Sequence, residues 1–156
     1  MNADTKITNK LEDYLEAVWR LQQAQGHAHV QEIADIVGVH KSTVTTALQS
    51  LVKKDLVNYH PYRTATVTEK GEAAAREVER KHRLIRQFMI SVLYLDVKTA
   101  DENACRIEHA LGPQAFRRLA EFMAYVQESS QGAELMNGFQ NYLAESLGER
   151  GTKELT

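Results

Sequence analysis

Six side chains in this chain of 156 residues have the types and spacings of ligands to a divalent metal ion. Asp13 and Glu16 stand three residues apart. Cys105, Glu108 and His109 fall at i, i+3 and i+4, and His82 lies between the two groups. On helices these spacings set Asp13 beside Glu16 and put Cys105, Glu108 and His109 on one face. Clustered carboxylates repel one another unless a proton or a cation neutralises them. A divalent transition ion accepts carboxylate, imidazole and thiolate together, and binding it would tie together the helices that carry them. Each group also has an ordinary explanation. Asp13 and Glu16 alone describe a solvated helix face, His82 between Lys81 and Arg83 a polar exterior, and Cys105 a buried apolar group. Six protein ligands would leave little coordination space for a substrate, which suits a sensor better than a hydrolase.

Other chemistries lack their residues. Ser42, Ser91, Ser129, Ser130 and Ser146 have no glycine elbow around them, and neither a His-Glu-x-x-His motif nor a phosphate-binding glycine loop is present. No catalytic residue is assigned, and the chain is not expected to be an enzyme. A single cysteine excludes a disulfide framework and the zinc-finger patterns that need two or four. No apolar run approaches the roughly 20 residues of a membrane span, and the polar first residues do not read as a signal peptide. A cytoplasmic protein, with neither a membrane partner nor a small-molecule substrate, is the expectation.

The elements that must position these residues are mostly helices. Leu11, Tyr14, Leu15, Val18, Trp19 and Leu21 recur at helical spacing and predict a helix near 8–24. Val30, Ile33, Ala34 and Val37 predict a short second helix closed by Gly38, and Val44, Leu48 and Leu51 a third over about 40–54. Two short helices joined by a tight glycine turn are a helix-turn-helix pattern. Leu56-Val57 and Thr64 to Thr68 then read as two short strands around a Pro-containing tip, Asn58-Tyr59-His60-Pro61-Tyr62-Arg63, which together make a wing. Thr68 is a predicted cap for a long helix over 69–94. Asp96 to Thr99 reads as a break, with Thr99 or Asp101 capping a helix over about 100–111. Gly112-Pro113 restarts the chain into a helix over 113–128, and a last helix covers about 132–147. The expected fold is mostly α: a winged helix-turn-helix domain over 1–71, an all-helical domain over 72–148, and a tail from 149 expected to fray.

Charge is uneven. Residues 1–70 balance 8 basic against 8 acidic side chains, 71–95 carry net +2, and 96–156 carry net −4. Within 38–70, Lys41, Lys53, Lys54, Arg63 and Lys70 face only Asp55 and Glu69, a local basic stretch that suits nucleic acid despite the acidic total. The third helix offers Lys41, Ser42, Thr43, Thr45, Thr46 and Gln49, donors suited to phosphates and base edges. The apolar stripes of the second half exceed what a small module covers, which points to dimerisation. Two-fold proteins pair with two-fold operators. Two other readings stay open: a winged-helix regulator or adaptor without metal, and a small helical metalloenzyme with an open coordination position.

At these residues the chain resembles the metal-dependent transcriptional repressors of the diphtheria-toxin-repressor and manganese-transport-regulator family, over roughly 8–147. Glu12-Asp13-Tyr14-Leu15-Glu16, Val30 to Val37, His40 to Leu51, Val67-Thr68-x-x-Gly71, Lys81-His82-Arg83-Leu84 and Cys105-Arg106-Ile107-Glu108-His109 carry the resemblance. It implies a homodimeric repressor of metal-homeostasis genes that binds double-stranded DNA, in a short form without the C-terminal barrel of longer relatives. It implies metal ligands at Asp13, Glu16, His82, Cys105, Glu108 and His109, and DNA contacts from His40, Lys41, Ser42, Thr46, Tyr62 and Arg63. Asp13 matches the manganese type and Cys105 the iron type, so the set is a hybrid. Arg86 and Asp101 stand where an iron-type ancillary site holds glutamate and histidine. The soft thiolate ranks Fe2+ ahead of Mn2+, and Zn2+, Co2+ or Ni2+ can bind in vitro.

Overall fold

The computed structural model describes residues 7–60 and 63–153, with side chains as far as Ser146. Its described elements are α1 (Asn9–Gln25), α2 (Val30–Val37), α3 (Lys41–Lys53), β1 (Val57–Tyr59), β2 (Ala65–Val67), α4 (Glu69–Ser91), α5 (Val97–Ile107), α6 (Pro113–Glu128) and α7 (Ser130–Lys153). They divide into two compact units, Met1–Arg83 and Leu84–Thr156, so that α4 contributes to both. The expected mostly α architecture, with a wing after the third helix, is the one observed.

In the first unit, Leu15 and Val18 of α1, Ile33 of α2 and Val44, Leu48 and Leu51 of α3 lose essentially all solvent contact. They share one core with Leu56, Val57, Ala65 and Ala75. The apolar positions recur every three or four residues, so each helix turns one stripe inward. Gly38, at a φ of 73°, ends α2 with its N–H on the Ala34 carbonyl. At the other end of α2, the Glu32 carboxylate accepts from the His29 N–H at 2.9 Å and from Gln25 Nε2 at 2.9 Å. The Gln25 hydrogen bond first, and then the His29 N–H, hold that carboxyl below its ordinary pKa.

β1 and β2 pair antiparallel, with Val57 opposite Val67 and Tyr59 opposite Ala65. Ala28 joins β2 as an isolated bridge, exchanging hydrogen bonds of 2.9 and 2.8 Å with Ala65. Thr68 caps α4 as expected: its hydroxyl accepts from the Gly71 N–H at 3.0 Å and donates to the Asp55 carbonyl at 2.8 Å. Gly71 lies against the Leu56 carbonyl so closely that a Cβ would come within 1.8 Å of that oxygen.

In the second unit, Ile85 and Met89 of α4 pack with Ala100 and Ala104 of α5. Val92 packs with Met123 and Val126 of α6, and the Phe88 and Phe122 rings meet edge to face at 6.3 Å. Several boundaries depart from expectation. α5 ends at Ile107 rather than near 111, and α7 runs from Ser130 to Lys153 rather than over about 132–147, so the helix continues past 149, where fraying was expected. The cap of α5 is Asp96, whose side chain accepts from the Thr99 N–H at 3.0 Å, so the helix starts a turn before Thr99 or Asp101 could cap it. α4 stops at Ser91 rather than near 94, because Tyr94 adopts a left-handed φ of 55° and the Leu95 N–H turns back to the Met89 carbonyl at 3.1 Å. Among the described residues, no helix is long and apolar enough to cross a membrane.

Candidate metal centre and nucleic-acid interface

Ionisable groups are buried at few places. Among the described residues, the buried polar or charged ones are Glu16 (7 % exposed), His82 (8 %) and Glu108 (1 %). All three belong to the expected ligand set. A carboxylate withdrawn from water costs several kcal/mol unless a cation, a proton or hydrogen bonds compensate it, so such positions are seldom accidental.

In the first unit, α1 presents Glu16 with Asp13 half-buried one turn earlier, and α4 presents His82. The Glu16 carboxylate stands 2.7 Å from Arg20 Nη2, and the same guanidinium reaches Glu79 of α4 at 3.3 Å. In the second unit, α5 ends inside the ligand motif. Ile107 is its last residue and Glu108 its C-cap, still in right-handed helical conformation, with its N–H on the Ala104 carbonyl at 2.9 Å. His109 follows in the turn. Its Nε2 and the Glu108 Oε1 approach to 3.3 Å, with their side chains 8 % and 0 % exposed. Cys105 differs: it is exposed to solvent. Helical spacing alone suggests one shared face for all three, whereas burial sets Glu108 and His109 apart from Cys105.

The donor chemistry suits a transition ion. Two ligands on one ion, each bonded at about 2.0–2.2 Å, lie roughly 3 Å apart when they subtend a right angle. The Glu108–His109 approach is therefore near the spacing of neighbouring ligands. Among the described residues, no group of three or more His, Cys, Asp or Glu stands assembled as a metal cage. The ancillary positions hold an ion pair instead, with Arg86 Nε 3.2 Å from Asp101 Oδ1.

The DNA-facing expectations fall on the surface of the first unit. His40, Lys41, Ser42 and Thr46 are exposed at the start of α3, opposite buried Val44, Ala47 and Leu48. His40 is the N-cap residue, yet its side chain makes no capping bond. The Thr45 and Thr46 hydroxyls donate to the carbonyls one turn back, Lys41 at 3.0 Å and Ser42 at 3.1 Å, which leaves their lone pairs outward as acceptors. Arg63 is exposed at the wing, its N–H on the His60 carbonyl at 3.0 Å. Tyr62, the other expected wing contact, lies outside the described residues. Sequence reasoning passed over His27 and His29, whose His-x-His spacing before α2 was the available signal.

Comparison with known proteins adds independent information. The model described as "Iron dependent repressor, N-terminal DNA binding domain" matches residues 6–65. The one described as "Iron dependent repressor, metal binding and dimerisation domain" matches residues 68–136. An uncharacterised helix-turn-helix transcriptional regulator of Methanocaldococcus jannaschii is 36 % identical over 118 residues, covering 75 % of this chain and 94 % of that protein. The solved manganese regulator SloR is similar at 29 % identity and a TM-score of 0.66, over 74 % of this chain and 54 % of that one. A manganese-dependent transcriptional repressor in complex with manganese is similar at 26 % identity and a TM-score of 0.68, over 74 % and 53 %. Further matched structures carry Zn2+ or Cd2+. This chain thus spans about half the length of these two solved structures.

Proposed function

This chain belongs to the iron-dependent repressor family, and from that membership we propose that it is a metal-activated, DNA-binding transcriptional repressor acting as a homodimer. The family is one of transcriptional regulators, not enzymes. We assign Asp13, Glu16, His82, Cys105, Glu108 and His109 as its metal ligands, with Fe2+ ahead of Mn2+. When bound, the ion supplies positive charge to carboxylates that burial would otherwise penalise. The single observation that carries this reading is that the buried charged or polar residues among those described, Glu16, His82 and Glu108, all belong to that ligand set.

The chain's own residues do the rest. The exposed start of α3 is the reading element: His40, Ser42 and Thr46 face base edges, and Lys41 meets phosphate. Arg63, with Tyr62, approaches the flanking backbone from the wing. Dimerisation is supported by apolar side chains left exposed in the second unit, among them Leu93, Tyr94, Tyr125, Leu135 and Tyr142. Without an ion, Asp13, Glu16 and Glu108 contribute like charges to one ligand set, and these repel one another. With it, the two reading helices of a dimer are restricted to one separation, that of a two-fold operator.

Selection of duplexes from a random DNA pool, performed anaerobically with Fe2+, with Mn2+ and with chelator, tests the reading. A two-fold consensus enriched only with metal is the expected result. Enrichment of the same consensus under chelator refutes metal activation, and no enrichment in any arm refutes specific DNA binding.

A further inference from the structure

Between α1 and α2 the chain passes through Gly26-His27-Ala28-His29. Ala28 is fully buried and fixed by its two backbone hydrogen bonds to Ala65 of β2, so this stretch is extended at Ala28 like a strand. In an extended segment, alternate residues project to the same side. His27 and His29 therefore share the side opposite Ala28, one half-buried and the other exposed. Their Nε2 atoms approach to 3.2 Å, with ring planes at 88° and centroids 4.8 Å apart.

That distance is informative. Imidazole nitrogens bind Zn2+ at about 2.0–2.1 Å, which separates two of them by roughly 2.9 Å at a right angle and 3.4 Å at the tetrahedral angle. The observed separation lies between. The backbone around the pair is already fixed: the bridge to β2 holds Ala28, and the Glu32 carboxylate holds the His29 N–H at 2.9 Å. Glu32 is in turn held by Gln25 Nε2, whose other contact is the His27 carbonyl at 3.2 Å. A fixed carboxylate beside two converging imidazoles favours a cation.

We propose that His27 and His29 form a second, surface metal site that chelates one borderline divalent ion of the Zn2+ or Ni2+ class through their two Nε2 atoms, with water completing its coordination. In the metal-free protein one ring donates its Nε2–H to the lone pair of the other. The ion takes the place of that proton, which moves to Nδ1 of the same ring, so both Nε2 lone pairs face the metal and no net proton is lost. The site is separate from the ligand set assigned above and does not depend on it.

Equilibrium dialysis of the full-length protein against Zn2+, with bound metal read by elemental analysis, tests the site. The expected result is that His27→Gln and His29→Gln each lose about one equivalent per chain relative to the unaltered protein. The double variant loses no more than either, because both rings hold the same ion. The difference persists in a His109→Ala background, whereas His40→Gln loses nothing. Unchanged stoichiometry in the single variants overturns the proposal, as does a double variant that loses twice as much, the mark of two independent imidazoles. Failure of the metal-dependent repressor reading would leave this difference intact. Loss of the difference would leave metal-dependent operator selection intact.

Discussion

The Nε2 of His109 stands 3.3 Å from the Oε1 of Glu108, its neighbour in sequence, and both side chains are almost completely shielded from water. Adjacent residues on a regular helix point about 100° apart, so their functional atoms do not ordinarily converge. Here α5 has already ended at Ile107: Glu108, its C-cap, keeps right-handed helical backbone geometry, and His109 follows in the turn. If this pair belongs to the metal centre, Glu108→Gln and His109→Ala each weaken Fe2+ and Mn2+ binding by more than the roughly 10- to 100-fold typical of residues that only support a ligand. Calorimetric titration under nitrogen measures this, and circular dichroism verifies that the variants remain helical. A loss of less than tenfold removes the pair from the site.

Cys105 is exposed where Glu108 and His109 are buried. Its role is therefore the most separable of the set, and its softness bears on which ion is chosen rather than on whether one binds. Cys105→Glu keeps a ligand while hardening the site, and is expected to raise the response to Mn2+ relative to Fe2+. Operator affinity measured against each free ion gives the ratio. An unchanged ratio leaves metal activation standing and removes Cys105 as the selector.

At the start of α3, charge and base reading separate by residue. Lys41→Ala is expected to weaken specific and non-specific DNA binding alike and to shallow the salt dependence by about one ion. Thr46→Ala is expected to leave non-specific binding unchanged and to reorder the preference among operator variants, by about 1–3 kcal/mol where it reads a base. Fluorescence anisotropy over a salt series and a panel of single-base operator variants distinguishes the two. An unchanged ranking for Thr46→Ala denies it a reading role.

Gly71 is required by proximity. A Cβ at that position would overlap the Leu56 carbonyl, which also accepts from the Thr68 N–H at 3.0 Å. Backbone on both sides leaves nothing flexible to yield. Gly71→Ala is expected to destabilise the first unit by about 1–3 kcal/mol, as overpacking does. Urea unfolding followed by Trp19 fluorescence reports it, and a change within error would show that the wing and α4 can separate at no cost.

Regular elements were legible because their apolar positions recur with helical period. Leu15, Val18, Ile33, Val44, Leu48 and Leu51, picked out by spacing, are among the fully buried residues of the first unit. The Thr68 cap was legible from the residue preceding the long helix. The missed boundaries had physical causes. β-branched Val97 and Thr99 disguised Asp96 as part of a break, although an Asp three residues before a free N–H is itself a capping signal. Tyr94 ends α4 in a left-handed conformation that glycine or asparagine would have announced. The Arg86–Asp101 pair joins α4 to α5 across 15 positions, and no local pattern encodes such tertiary packing. The ligand residues were legible as types and spacings, whereas the exposure of Cys105 beside two shielded neighbours was not. His27 and His29 were overlooked because only the bridge of Ala28 to the wing makes their alternation meaningful.

The proposed function couples ion binding to DNA binding. By linkage, an ion that raises operator affinity is itself bound more tightly when operator is present. The most direct measurement is operator affinity, under anaerobic conditions, of protein stripped by chelator and of the same protein saturated with Fe2+ or with Mn2+. A coupling of about 1–3 kcal/mol is expected, a gain of roughly 5- to 150-fold on saturation. Equal affinity of the metal-free and metal-saturated protein for the operator would rule out metal activation.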